Sequence, residues 1–338
     1  MYIRRYILAV MPLIVSSSSN HICRVCEPFC TCDYSFGRGS EQRVLKMSRL
    51  PKTWLITGSS SGFGLLLVRS ILAQGDNVVA TSRNPSRTPD LVKEVESTSK
   101  GKWLTLDVTS GATTISTVIE EASKIFGTID VLINNAGYSI FGAAEEIAED
   151  RAKAQFEVNF WGLIRVSQAV LPIMRAQRSG TLVNMSSVAG LTASPSCAIY
   201  ASSKFAVEAW SESLCQEVAP FGIRVLIVEP GIFRTNFLGS GAVQTQPVSE
   251  AYRSNVVDIM LQRFEDMNGR QQGDPVKAAE RIVENVQRGL TKEELGKVEN
   301  LRLPLGHDCY DRVAEKMAKL KQNYESSKSE DVDVAINE

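Results

Sequence analysis

From Lys52 onward, short apolar runs rich in β-branched residues alternate with longer amphipathic stretches, and this alternation narrows the fold more than any other feature of the chain. Runs such as Val131-Leu132-Ile133 and Val225-Leu226-Ile227-Val228 show no polar face. As strands they must be covered on both sides, which is the condition of a parallel sheet with helical crossovers. Strands are expected at Thr53 to Thr57, Asn77 to Thr81, Trp103 to Asp107, Val131 to Asn134, Thr181 to Met185 and Arg224 to Glu229, with a shorter seventh near Leu301 to Leu305. Helices are expected at about Gly62 to Gln74, Pro89 to Ser99, Gly111 to Phe126, Ala148 to Ala176, Ala198 to Ala219, Pro275 to Arg288 and Asp308 to Glu325. Gly75 and Gly222 fall where a left-handed residue would end a helix. Right-handed crossovers then build an α/β fold: a doubly wound three-layer sandwich around a mainly parallel seven-stranded sheet, with ligands at the carboxyl edge of the strands. Asn236 to Asp274, rich in Gly, Ser and Gln and weak in periodicity, is expected to be a substrate loop or lid.

The first 46 residues do not share this pattern. They hold four of the seven cysteines (Cys23, Cys26, Cys30, Cys32) and six Arg or Lys against three Asp or Glu. Their ten apolar or aromatic residues from Tyr6 to Val15, broken by Pro12, resemble a weak secretory segment and are too few to span a bilayer. The segment is expected to be a leader outside the working polypeptide, with a single domain over 47–325 and a polar tail over 326–338. Cys197, Cys215 and Cys309 sit singly among apolar neighbours and are read as reduced core thiols. A cytoplasmic location follows, with the endoplasmic reticulum as the alternative that the leader leaves open.

The net charge of -1 removes the strong basic field that a nucleic-acid partner would need. Only two histidines occur, His21 and His307, so a metal centre or a triad built on imidazoles is not expected. Acid/base chemistry must rest on other side chains.

Two short motifs offer it. Thr57-Gly58-Ser59-Ser60-Ser61-Gly62-Phe63-Gly64 follows the first strand and opens the first helix, where main-chain N–H groups and the helix dipole can receive a pyrophosphate. The spacing is G-x3-G-x-G, and no Lys follows the last glycine as it would in a P-loop. Tyr200-Ala201-Ser202-Ser203-Lys204 places a phenol and an ammonium one helical turn apart. Tyr324 and Lys328 match the same spacing in the tail, so position decides between the two pairs.

Together with Asn134-Asn135-Ala136-Gly137 after the fourth strand, Asn159 in the long helix, Ser186-Ser187 after the fifth strand, and Pro230-Gly231 with Thr235 after the sixth, these motifs make the chain resemble the short-chain dehydrogenase/reductase family from Pro51 to about Glu325. Within it, Gly62-Phe63-Gly64, Ala80 to Pro85 and Leu303-Pro304-Leu305-Gly306 are similar to the 17β-hydroxysteroid and retinol dehydrogenase branch, which has many fungal secondary-metabolism members. The resemblance implies a Rossmann fold and an oxidoreductase that interconverts a ketone or aldehyde and an alcohol. It implies Tyr200 as general acid in reduction, with Lys204 lowering the phenol's pKa and contacting the nicotinamide ribose. Ser187, thirteen residues before Tyr200, would hydrogen-bond the carbonyl, and Asn159 would hold a water that resupplies protons.

The same resemblance assigns the cofactor's holders. Gly58, Ser60, Ser61, Gly62, Phe63 and Gly64 would cradle the diphosphate, and Asp107 would meet the adenine. Asn135 and Gly137 would line the nicotinamide side, while Pro230, Gly231, the Ile232 main chain and Thr235 would hold the carboxamide and diphosphate. Ser82 stands where a carboxylate would bind the ribose of NAD(H), and Arg83 follows it. The guanidinium suits a 2'-phosphate, so NADP(H) is expected, with NAD(H) as the alternative. Trp161, Phe141, Phe233 and Phe237 are either core or walls of a pocket for a hydrophobic small molecule of steroid, retinoid, polyketide or terpenoid type. A homodimer or homotetramer through the helices around 148–176 and 198–219 is implied as well. Two other functions fit the same fold: a non-catalytic NADP(H)-binding sensor or scaffold, and an epimerase or dehydratase. The intact Asn159, Ser187, Tyr200 and Lys204 set argues against the first, and the glycine spacing against the second.

Overall fold

The computed structural model describes residues 50–235 and 242–328. The leader 1–46, Phe237 with the rest of 236–241, and 329–338 of the tail lie outside the described residues. Seven strands, β1 (Thr53–Ile56), β2 (Asn77–Ser82), β3 (Gly101–Thr105), β4 (Val131–Asn134), β6 (Gly180–Met185), β7 (Ile223–Pro230) and β9 (Arg302–Leu305), form one sheet in the order β3-β2-β1-β4-β6-β7-β9. Every pairing in it is parallel. The strand order reverses between β1 and β4, the place where a doubly wound sheet opens a crevice at its carboxyl edge.

Alternation along each strand feeds two cores. Trp54 and Ile56 of β1, with Leu226 and Val228 of β7, pack under α1 (Gly62–Ala73) and α8 (Pro275–Arg288). Leu55, Val225 and Ile227 point the other way, under α3 (Ala112–Ile125), α5 (Leu163–Gln177) and α6 (Ala198–Val218). α2 (Pro89–Glu96) flanks β3, α4 (Glu149–Phe156) runs through a π turn at Glu157–Gly162 into α5, and α9 (His307–Ser327) follows β9. Two short strands, β5 (Ser139–Phe141) and β8 (Val243–Thr245), pair separately beside the carboxyl edge.

A buried polar ladder ties α6 to the sheet. Asn134 Nδ2 donates to Ser167 Oγ and to Asn184 Oδ1, both at 2.9 Å, and Asn184 Nδ2 donates to Ser211 Oγ at 2.8 Å. Asn134→Ala leaves Asn184 Oδ1 without its donor in a dry core, at a cost of about 1–3 kcal/mol. A lowered Tm in thermal unfolding is the expected reading, and an unchanged Tm would contradict it.

The expected architecture holds, with local differences. β3 begins at Gly101 and ends at Thr105, because Asp107 Oδ1 turns the chain by accepting from Thr109 N at 2.9 Å. α2 stops at Glu96, where Ser97 Oγ donates back to Glu94 O at 2.7 Å. Helix α9 runs to Ser327, past the expected start of the tail. The stretch taken as a loop from Asn236 contains β8 and a helix, α7 (Val256–Met267), capped by Asn255 Oδ1, which accepts from Val257 N at 2.8 Å. Gly75 and Gly222 do take the left-handed conformation, at φ 83° and 75°. Cys197, Cys215 and Cys309 are buried and unbridged.

Candidate active site

The turn after β1 is held by its neighbours. Thr57 Oγ1 accepts from Asn135 N at 3.0 Å and Ala136 N at 3.1 Å, and Asn135 Nδ2 donates to Thr57 O and Gly58 O, each at 3.0 Å. Gly58 (φ 69°) passes so close to β4's end that a Cβ would lie 2.9 Å from Ala136 Cα. Gly64 backs the turn: a Cβ there would lie 2.3 Å from Gly58 O. The first turn of α1 holds no acidic side chain, so its N–H groups and dipole face the crevice uncompensated, as an anionic diphosphate requires. The cradle therefore fits a dinucleotide.

At the other end of the crevice, α6 presents Tyr200 and Lys204. Burial pushes the phenol up to about 12, against the pull of its hydrogen bond with Ser187. Burial pushes the Lys204 ammonium down to about 8, with Glu208 pulling it back up. Lys204 Nζ donates to Met185 O at 2.7 Å and stands 6.0 Å from the Tyr200 ring centroid. Among the protein's own groups, loss of water is the largest influence on the phenol. Ser187 Oγ also accepts from Ala189 N at 3.1 Å, which fixes its rotamer. Asn159 lies in the π turn, fully buried. Its Nδ2 donates to Tyr138 O at 2.9 Å and Ser203 Oγ at 3.1 Å, and its Oδ1 accepts from Tyr138 N at 3.0 Å.

A cavity of about 1210 Å³ joins the two ends. All the sequence-derived site residues line it except Gly64, which supports the turn from behind, and Asn159, which braces Tyr138. Arg83 is exposed on its wall, whereas Ser82 Oγ is turned inward to accept from Trp103 Nε1 at 3.0 Å. The Ile232 N–H is donated to Asp308 Oδ2 at 2.9 Å, and the same carboxylate fills the space a Cβ on Gly231 would take, 2.2 Å from Oδ1.

Several wall residues were not foreseen. Met260, Arg263 and Phe264 come from α7, and Phe264 stacks on Phe141 with centroids 4.6 Å apart. The spacing Val257, Met260, Leu261, Phe264 behind Asn255 is the signal that could have revealed them. Arg312 of α9 reaches over to donate to Thr192 Oγ1 at 2.9 Å and Ser194 Oγ at 3.2 Å. Phe141 and Phe233 do line the cavity, but Trp161 is 49% exposed and lies away from it, on the outer side of the π turn.

A parallel sheet with its glycine-rich crevice and a Tyr/Lys pair facing it defines the class of nicotinamide-dependent oxidoreductases acting on CH–OH groups. Residues 52–244 match the family model for short chain dehydrogenase. The oxidoreductase BOA17 of Botryotinia fuckeliana is 43% identical over 211 residues, 61% of this chain and 74% of the relative. A solved short-chain dehydrogenase from Streptomyces avermitilis superposes with a TM-score of 0.73 at 36% identity, covering 83% of this chain and 97% of that one. A gluconate 5-dehydrogenase from Burkholderia cenocepacia, solved in complex with NADP and tartrate, does so at 0.61 and 25% identity, covering 78% and 97%. The chain belongs to the short-chain dehydrogenase/reductase family. Among the described residues, no helix is long and apolar enough to cross a membrane.

Proposed function

We propose that this chain reduces a ketone or aldehyde on a hydrophobic small molecule with NADPH, and runs the reverse oxidation with NADP+. The observation that carries the reading is the convergence of Ser187, Tyr200 and Lys204 on one end of a cavity whose other end is the braced glycine turn. Gly58 and Ser60 to Phe63 hold the diphosphate, Asp107 meets the adenine, and Asn135, Gly137, Pro230 to Ile232 and Thr235 line the nicotinamide end. The bound cofactor supplies the hydride.

The protein's part is to place the carbonyl and deliver a proton. Ser187 donates to the carbonyl oxygen as negative charge develops there. Tyr200, kept protonated by its burial, gives that oxygen its proton. Lys204 places positive charge beside the phenol. Asn159, buried in the π turn, braces the Tyr138 main chain and Ser203 beside the Tyr200 and Lys204 pair, and its Oδ1 keeps a second lone pair with which it would hold the water that resupplies the proton. The wall beside the phenol is apolar: Phe141 meets the Tyr200 ring edge-on at 6.4 Å and stacks on Phe264, with Cys197 and Met260 nearby. That wall suits a bulky steroid-, polyketide- or terpenoid-like ketone. The chain also pairs with itself as a dimer or tetramer through α4, α5 and α6, where Trp161 of the π turn between α4 and α5 and Phe205 of α6 are exposed.

The test is NADPH oxidation against a panel of hydrophobic ketones, with alcohols and NADP+ in reverse; NADPH binding without turnover on any of them would favour the sensor reading. Arg83→Ala should raise the KM for NADPH about tenfold or more, a loss of about 1.4 kcal/mol or more, with little change for NADH. Ser82 beside it carries no charge with which to replace the guanidinium. Equal changes for the two cofactors would remove the NADP(H) preference.

A further inference from the structure

Behind Lys204, on the side away from the cavity, lies a group of buried charges that the reaction above does not use. Glu208 follows Lys204 by one turn of α6 and is 3% exposed; Glu229, the residue before Pro230, is 2% exposed. Carboxylates buried to that degree persist only when paired. Arg302, at the start of β9, pairs with both. Its Nη2 lies 3.2 Å from Glu208 Oε2 and its Nε 2.9 Å from Glu229 Oε1. It also pairs with Glu212, one turn further along α6 and half exposed. One guanidinium therefore fastens α6, the end of β7 and β9 together at the base of the site.

The surroundings of Lys204 give this clamp a consequence. The groups that face its Nζ are the Met185 carbonyl from β6, the Tyr200 ring on its own helix, Gly137 with the Asn159 side chain behind it, and Glu208. Glu208 is the anion among them. Glu208 in turn is faced by Ser186 at the end of β6, Arg302 and Glu229. A Cβ on Gly190 would lie 2.5 Å from Ser186 Oγ and 3.1 Å from Glu208 Oε1, so glycine is needed there for the two to sit together. Burial pushes both carboxyls up, Glu229 to about 7, with Glu208 adding to the push on Glu229. Arg302 opposes that push by pairing with both carboxylates.

We propose that Glu208 is a positioning residue for the carbonyl chemistry: clamped by Arg302 against Glu229 and Glu212, its carboxylate is the counter-charge that holds the Lys204 ammonium in its buried place beside Tyr200. The proposal rests on the reading of Tyr200 and Lys204 given above. It assigns the charged cluster to the reaction, where a merely structural cluster would affect stability alone.

The experiment is the pH profile of kcat/KM for ketone reduction with NADPH. Removing the carboxylate makes the ammonium harder to keep, so in Glu208→Gln the alkaline limb moves to lower pH, by about one unit. Glu208→Asp keeps the charge and leaves the limb at its native position, and so does Glu212→Gln, which removes only the exposed arm of the clamp. A Glu208→Gln limb that superimposes on the native one, or a Glu208→Asp limb displaced as far as that of Glu208→Gln, overturns the proposal. Should Glu208→Gln fail to fold, Glu229→Gln carries the test. It leaves Arg302 to Glu208 and holds the limb in place or raises it, and a fall of about one unit overturns the proposal. Tyr200→Phe, assayed alongside, separates the two readings. Full turnover there removes the mechanism itself, whereas a dead Tyr200→Phe with an unmoved Glu208→Gln limb removes only the role of Glu208.

Discussion

Tyr200→Phe is expected to lower kcat for ketone reduction by about 10²–10⁴-fold, the usual contribution of a positioned general acid, while NADPH binding followed by fluorescence stays at its native level. The variant removes one hydroxyl and keeps the ring against Phe141, so the apolar wall survives. What is lost is the proton and the hydrogen bond to Ser187. The phenol, pushed up to about 12 by burial, is protonated throughout the neutral range and can act as an acid without titrating there. The loss of activity with rising pH in the native enzyme is then set by Lys204, whose ammonium is pushed down to about 8. Reduction should fall as pH passes that value, because the charged form is the one that deprotonates. Native turnover in Tyr200→Phe would remove the assignment.

The residues that carry this argument were legible to different degrees. A parallel sheet covered on both sides needs uninterrupted apolar runs, and β4 and α8 lie where the sequence places them for that reason. Asp274 caps α8, Pro275 opens it and Gly289 ends it, three local signals that need no tertiary context. The Tyr200 and Lys204 pair was legible because helical spacing alone brings the two side chains to one face. α7 was obscured by the Gly- and Gln-rich segments on either side of it, although Asn255 and its apolar spacing mark the helix. β5 and β8, three residues each, are too short to show a period.

The remaining features depend on contacts distant in sequence. The π turn inserts one residue into a helix whose apolar spacing reads as ordinary, so the brace from the Asn159 amide to the Tyr138 main chain could not be read from the sequence. Arg302 meets Glu208 across 94 residues, and Asp308 meets Ile232 across 76. Each contact forms only because parallel crossovers bring β7, β9 and α6 to one end of the sheet. Sequence spacing carries no trace of such pairings, and the charges involved look like ordinary surface residues until the fold buries them.

Gly64→Ala is expected to weaken NADPH binding by about 100-fold or more, a change of about 2.7 kcal/mol, and to lower stability by about 1–3 kcal/mol. The added methyl would lie 2.3 Å from Gly58 O and 2.6 Å from Asn135 Nδ2. The first of these is main chain and cannot rotate away, so the turn must shift. In shifting it breaks the bonds from Asn135 Nδ2 to Thr57 O and Gly58 O, which hold the cradle in shape. Gly111→Ala provides the contrast. Gly111 caps α3 at φ -62°, and a Cβ there would have no atom within 4 Å. That substitution changes stability by at most about 1 kcal/mol, in either direction, and leaves NADPH affinity untouched. Titrating both variants with NADPH distinguishes a cofactor cradle from an ordinary strand-to-helix connection. A destabilised Gly64→Ala that still bound NADPH with native affinity would mean that the turn closes the fold without holding the dinucleotide.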